Sequence, residues 1–213
     1  ERVVRYSEVE GWHLEIINAG EFDDERYLQN PVNRCFYCKD NLYASIAGRT
    51  EDERQLLSGT NLDDLDDWRP GLKAAEVYCV RHPFVEAKIN KAAVRAIARH
   101  YQMNDVAELP ASPCLSSRVE TGLPIVPREL AFVDLAERYI QKELTPATVR
   151  CRIRQARIVI ELDIETYGRV IQHKRKALAC ELSKLYSLQG IQNEYAVEFA
   201  PYEQGSAFLR SPR

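Results

Sequence analysis

Glycine is sparse in this 213-residue chain, and its nine glycines are never adjacent, so a phosphate loop built on consecutive glycines is excluded. Charge of one sign is also lacking: 29 Lys and Arg stand against 32 Asp and Glu, a formal net charge of -3. No global basic field invites nucleic acid, and any anion site must be local. No apolar run approaches the roughly 18 to 20 residues of a membrane helix, and no secretory signal is visible. These absences predict a cytoplasmic protein without membrane or nucleic-acid partners. The first residue is Glu1 and charged residues follow at once, so the chain is expected to begin inside a longer protein.

What is present is an ordinary globular balance, 45% hydrophobic and 29% charged, in a length that suits one large or two modest domains. Six cysteines stand at 35, 38, 79, 114, 151 and 180. The chain is too long and too helical in pattern for a disulfide-stapled miniprotein, which favours reduced thiols with a metal or redox role.

Trp12 to Ile17 alternates weakly and predicts a short strand. Asn30-Pro31 predicts a helix start, the helix running to Ile46 and stopping at Gly48. Gln55 to Leu57 is a second strand candidate, and Asn90 is expected to cap a helix carrying Val94, Ile97, Ala98 and Tyr101 on one face. The two prolines around Cys114 make residues 110–118 a loop. A helix should follow Pro127, with Leu130, Val133, Ala136 and Ile140 inward. Thr148 to Ile153 and Arg157 to Leu162 alternate like a hairpin. A long helix from Tyr167 to Leu185 and a last strand from Tyr195 to Phe199 complete the reading. The first part reads as α/β and the second as a small α+β unit, with the boundary near Gly122 to Pro127.

Cys35 and Cys38 form a CxxC whose thiols project to one side of a helix. Soft thiolates bind zinc or iron, and Cys114 in its rigid loop offers a third. Three thiolates on a cubane would leave one iron open; a fourth ligand from Cys79 or His82 would instead make a zinc site. The competing reading is that Cys35 and Cys38 are small core residues. Cys79, Cys151 and Cys180 read as packing residues, Cys151 because it faces away from Arg150 and Arg152.

Arg150, Arg152 and Arg154 share one strand face. Their guanidinium forks match phosphate oxygens, or else the face is solvated and paired with Glu161 and Glu137. In the acidic loop Asn61, Asp63, Asp64 and Asp67 could orient substrate or hold magnesium, with Arg69 on a phosphate. A solvated turn is the alternative there.

Asn30 to Lys39 (NPVNRCFYCK), Gly59 to Gly71 (GTNLDDLDDWRPG), Ala111 to Arg118 (ASPCLSSR) and Val149 to Ile153 (VRCRI) together resemble the LarE family. These are ATP-dependent sulfur transferases of the PP-loop ATP pyrophosphatase superfamily. The resemblance implies a fold: an incomplete adenine-nucleotide alpha-hydrolase-like parallel-sheet domain over residues 1–122, then a small α+β substrate-binding and oligomerisation domain over 123–213. It implies adenylation of a carboxylate of a pyridinium mononucleotide with ATP and Mg2+, then replacement of oxygen by sulfur from an unidentified sulfide donor. The product feeds a nickel-pincer cofactor. By the same matching, Cys35, Cys38 and Cys114 would hold a [4Fe-4S] cluster, with Cys114, Glu137 and Glu161 as catalytic residues. Arg150, Arg152, Arg118, Ser117, Asn61, Asp64 and Arg69 would bind substrate or phosphate, and a homo-oligomer, a homohexamer, is implied. The Ser-Gly-Gly-x-Asp-Ser loop of the superfamily is absent, so this chain should hydrolyse ATP poorly; Pro113 stands where sacrificial-cysteine members place their thiol. Two other readings stay open: another PP-loop enzyme, a tRNA thiolase or an NAD synthase-like amidotransferase, and a non-catalytic zinc-stabilised module.

Overall fold

The structure is a computed structural model that describes residues 2–50, 54–66, 69–110, 112–191 and 195–208. Among the described residues seven α-helices precede the cysteine loop: α1 (Arg2–Glu10), α2 (Glu25–Leu28), α3 (Arg34–Ala47), α4 (Gly71–Val77), α5 (Pro83–Glu86), α6 (Lys91–His100) and α7 (Asn104–Ala107). After it come α8 (Pro127–Leu144), β1 (Val149–Arg154), β2 (Arg157–Leu162), α9 (Ile164–Arg169), α10 (Gln172–Leu188) and β3 (Ala196–Pro201). The chain is thus mixed α/β. No helix among the described residues is long and apolar enough to cross a membrane.

The second half builds the main core. β1 and β2 form the expected antiparallel hairpin, with Arg150 opposite Glu161 and Cys151 opposite Ile160. β3 joins β2 in parallel, giving the sheet order β1-β2-β3. Alternation then decides the faces: Cys151, Ile153, Ile158 and Ile160 turn inward onto Phe132, Val133, Ala136 and Ile140 of α8. The helix expected from Tyr167 to Leu185 is instead two. Asp163 caps α9 by accepting from the Thr166 N–H at 2.9 Å, and Val170 and Ile171 are extended. Two consecutive β-branched residues, Val170 buried in the core, favour that break.

The first half is thinner. Its main buried cluster is Tyr43, Ala74, Ala75 and Val80. Residues 12–20 are irregular rather than a strand: they have no strand partner among the described residues, and Ile16 is 83% exposed. Gln55 to Leu57 contributes one parallel bridge, Leu57 to Arg81, in place of a ladder. α3 begins at Arg34, three residues later than Pro31 suggests. Asn30 sits in the left-handed region (φ 52°), and the turn through Pro31 closes with the Arg34 N–H on the Pro31 carbonyl at 2.9 Å. Asn90 does cap α6, accepting from the Ala93 N–H.

Two cysteines depart from the packing reading. Cys180 is exposed on α10. Cys79 is exposed and left-handed (φ 50°) just past α4. Its N–H bonds the Glu76 carbonyl while the Val80 N–H bonds that of Ala75, a Schellman close in which glycine is the usual occupant. Cys151 is fully buried, as expected.

Candidate functional site

The cysteine loop is fastened to the helix that carries the CxxC. Arg34, the first residue of α3, donates from Nη1 to the Asn30 side-chain oxygen at 2.6 Å and to the Ser116 carbonyl at 2.8 Å. The Tyr27 hydroxyl and Ser116 Oγ share a 2.5 Å hydrogen bond. The Asn30 amide donates to the Glu120 carbonyl at 2.8 Å, and the Gly122 and Ile125 N–H groups bond the Asn30 and Leu28 carbonyls. The far end of the loop docks on the sheet through the Glu120 N–H and the Ile153 carbonyl.

Cys114 is exposed, while Cys35 and Cys38 are half-buried. Burial pushes the Cys38 thiol up to about 11, and nearby Cys114, Glu21 and Cys35 add to that rise. Burial likewise raises Tyr27 to about 12, against the bond from Ser116, with Cys38, Cys114 and Arg34 all near enough to act on it. The loop thiol, the helix pair, Tyr27 and Arg34 are therefore one electrostatic neighbourhood. No group of three or more His, Cys, Asp or Glu among the described residues is set to hold a metal ion. The three thiols suit a soft metal in chemistry but are not drawn up around a single ion.

Behind the loop, Arg118 binds both oxygens of Glu137 at 2.9 and 3.0 Å. Its Nη1 donates to the carbonyls of Pro113 at 2.7 Å and Cys114 at 3.1 Å and to Ser117 Oγ. Ser117 Oγ in turn donates to the Cys114 carbonyl. Glu137 also accepts from the Cys151 N–H. This set of bonds holds the Cys114 backbone against α8 and β1.

The arginines of β1 divide. Arg152 is 4% exposed, bonded to Glu161 at 2.9 Å and to the Ser117 carbonyl. Arg154 pairs with Glu120 and, more loosely, with Glu161. Arg150 makes no ion pair with a described residue; Nη1 donates to the Val149 carbonyl and the guanidinium lies 5.8 Å from the Tyr202 ring centre. Burial first, then the charge of Arg118, lowers its pKa from the usual arginine value. Of the three, Arg150 is the one whose charge remains open to an outside anion.

In the acidic loop Asn61 caps the turn Leu62–Asp64, and the Asp64 carboxylate accepts from both the N–H and the amide of Asn61. Asp64 also pairs with Arg69 at 2.8 Å, and Asp63 accepts from the Lys91 N–H. These groups fix one another. Asp67, Trp68 and Ala111 lie outside the described residues. The loop ends against the CxxC helix at Gly71, where a Cβ would stand 2.9 Å from Lys39 Cγ and 3.3 Å from the Cys35 carbonyl, so a larger residue would force the two helices to shift. Tyr27, Arg34 and Ser116 were not singled out from the sequence. Arg34 and Ser116 lie inside the quoted motifs, one beside Cys35 and one two residues past Cys114; Tyr27 carries no such signal.

Fold and site together define a mixed α/β protein in which the loop of Cys114 is bonded to the helix of Cys35 and Cys38 beside buried arginines. No family model matches the chain. It is similar to the pyridinium-3,5-bisthiocarboxylic acid mononucleotide synthase of Lactiplantibacillus plantarum, at 30% identity over 65% of this chain and 50% of that protein. It is also similar to an uncharacterized protein of Synechocystis sp., at 34% identity over 74% of this chain and 59% of the relative. A third relative is an uncharacterized protein of Methanocaldococcus jannaschii, at 27% over 78% of this chain and 69% of the relative. The chain thus spans half to about three-fifths of the length of the first two of these.

Proposed function

We propose that this chain is the sulfur-handling part of a LarE-like, ATP-dependent sulfur transferase. Its substrate is a pyridinium mononucleotide whose carboxylate becomes a thiocarboxylate. In the whole protein the carboxylate attacks the α-phosphorus of Mg2+-bound ATP and pyrophosphate leaves. Sulfide then adds at the acyl carbon and AMP leaves. The observation that carries this reading is the docking of the Cys114 loop onto the helix of Cys35 and Cys38 through Arg34 and Tyr27. The similarity to a thiocarboxylic acid mononucleotide synthase supports it.

Cys35, Cys38 and Cys114 would hold a [4Fe-4S] group, each as a thiolate, its proton released on binding. When bound, that group supplies an open iron position for sulfide. The protein residues do the rest. Arg118 and Glu137 fix the Cys114 backbone. Arg150 offers its open guanidinium to the mononucleotide phosphate, and Arg152 and Glu161 keep the strand beneath it rigid.

Iron and acid-labile sulfide analysis of oxygen-free protein tests the reading, with broad absorbance near the blue expected. Colourless protein carrying stoichiometric zinc would overturn it. A transfer assay comparing the pyridinium mononucleotide with tRNA separates this substrate class from a tRNA thiolase.

A further inference from the structure

Arg34 is 4% exposed and has no carboxylate partner among the described residues. Its Nη1 is satisfied by Asn30 and Ser116, but Nη2 is buried with no hydrogen-bond partner. The Phe208 ring centre lies 5.7 Å from the guanidinium carbon. The other buried orphan nitrogen, on half-buried Arg175, has a simple account: that guanidinium lies 3.9 Å over the Tyr167 ring. Arg118 and Arg152, as buried as Arg34, are each bonded to a carboxylate. A buried cation without an anion is costly, so Arg34 calls for negative charge from another source. The thiols are its neighbours along the chain and the fold: Cys35 follows it, Cys38 stands one helical turn on, and the Ser116 carbonyl that it binds lies two residues past Cys114.

We propose that Arg34 is the counter-charge of the cysteine site, a positioning residue whose guanidinium offsets the net negative charge of the thiolate-held group. The proposal rests on the iron–sulfur reading above and deepens it. Arg34 joins the CxxC helix to the Cys114 loop, and its unpartnered N–H and full charge remain for whatever anion the three sulfurs carry. Such outer partners of metal ligands are worth roughly 10- to 100-fold in affinity.

The test uses the protein reconstituted with ferrous iron and sulfide without oxygen, then challenged with a chelator while iron release and visible absorbance are followed. Arg34→Gln should lose iron roughly 10- to 100-fold faster than wild type, and its reduction potential should fall. Arg34→Lys, which keeps the charge but not the fork, should stay near wild type. Asn30→Asp leaves Arg34 in place but gives it a carboxylate partner. It should behave like Arg34→Gln, which keeps the test open if Arg34→Gln does not fold. Equal release from wild type, Arg34→Gln and Asn30→Asp overturns the proposal while sparing the cluster. Arg34→Lys failing as fully as Arg34→Gln reduces Arg34 to a tether and overturns it too. Wild type that takes up no iron and sulfide sinks the iron–sulfur reading and this proposal with it.

Discussion

The buried arginines fall into two regions that solve the same electrostatic problem differently. Around α8 and the β1–β2 hairpin, Arg118 meets Glu137 and Arg152 meets Glu161, each at 2.9 Å with the remaining donors on loop carbonyls. At the start of α3, Arg34 is equally buried and has only neutral acceptors. A neutralised region can be judged by stability alone. An un-neutralised one carries the cost of an unpaired buried charge, which the proposal above assigns to a ligand. Arg150 lies between them, half-buried, on the paired strand but without an ion pair to a described residue.

The comparison breaks most visibly where a pair is opened. Glu137→Ala leaves Arg118 buried without its carboxylate and removes the acceptor for the Cys151 N–H. A loss of about 3–5 kcal/mol is expected in urea unfolding, and a loss below about 1 kcal/mol would mean that the pair is not neutralising a buried charge. Next, Arg152→Ala should cost about 3 kcal/mol because Glu161 keeps only the Ser206 hydroxyl and the looser Arg154 contact. Arg150→Ala should cost under about 1 kcal/mol, since it opens no ion pair. It should nevertheless weaken binding of the phosphorylated substrate in calorimetry. Equal stability losses at the two positions would erase the distinction.

What the sequence made legible follows the same division. The hairpin, the inward face of α8 and the burial of Cys151 were readable because strict alternation and the i, i+3, i+4 pattern report directly on which side is apolar. The arginine row was readable as a row, but nothing in its alternation says that Glu161 closes two of its members and not Arg150. That depends on the register Arg150 opposite Glu161 and on a diagonal reach. The strand expected at Trp12 to Ile17 failed because weak alternation needs a neighbouring strand to become structure, and no neighbour is present among the described residues. The buried setting of Arg34 was hidden because it depends on Ser116, 82 residues away in sequence.

Cys79 sharpens the contrast between the thiols of the docked loop and helix and a thiol elsewhere in the fold. It occupies the left-handed close of α4 that glycine fills without strain. Cys79→Gly should therefore raise stability by about 1 kcal/mol, offset in part by the greater freedom of glycine in the unfolded chain. On the iron–sulfur reading proposed above, iron content should not change, because that reading uses only Cys35, Cys38 and Cys114. Loss of metal in that variant would bring back a four-ligand zinc site.

The smallest effect belongs to an exposed counterpart of these pairs. Asp24, the cap of α2, is held down to about 2 by the Arg26 side chain first, aided by Asn41 and the Arg26 N–H. Its folded pKa lies below the usual carboxylate value of 3.8, so its stabilising contribution is full above that value and is lost as pH falls through about 2. The Arg26 partner is largely in water, which limits the contribution to under about 1 kcal/mol. Asp24→Asn should flatten the acid limb of the stability curve between pH 3.8 and about 2 and leave neutral-pH stability within that margin. High salt should shrink the difference between variant and wild type, whereas the Glu137→Ala loss should persist in salt because its pair is shielded from solvent. An acid limb unchanged by the Asp24 substitution would assign that pH dependence to other carboxylates.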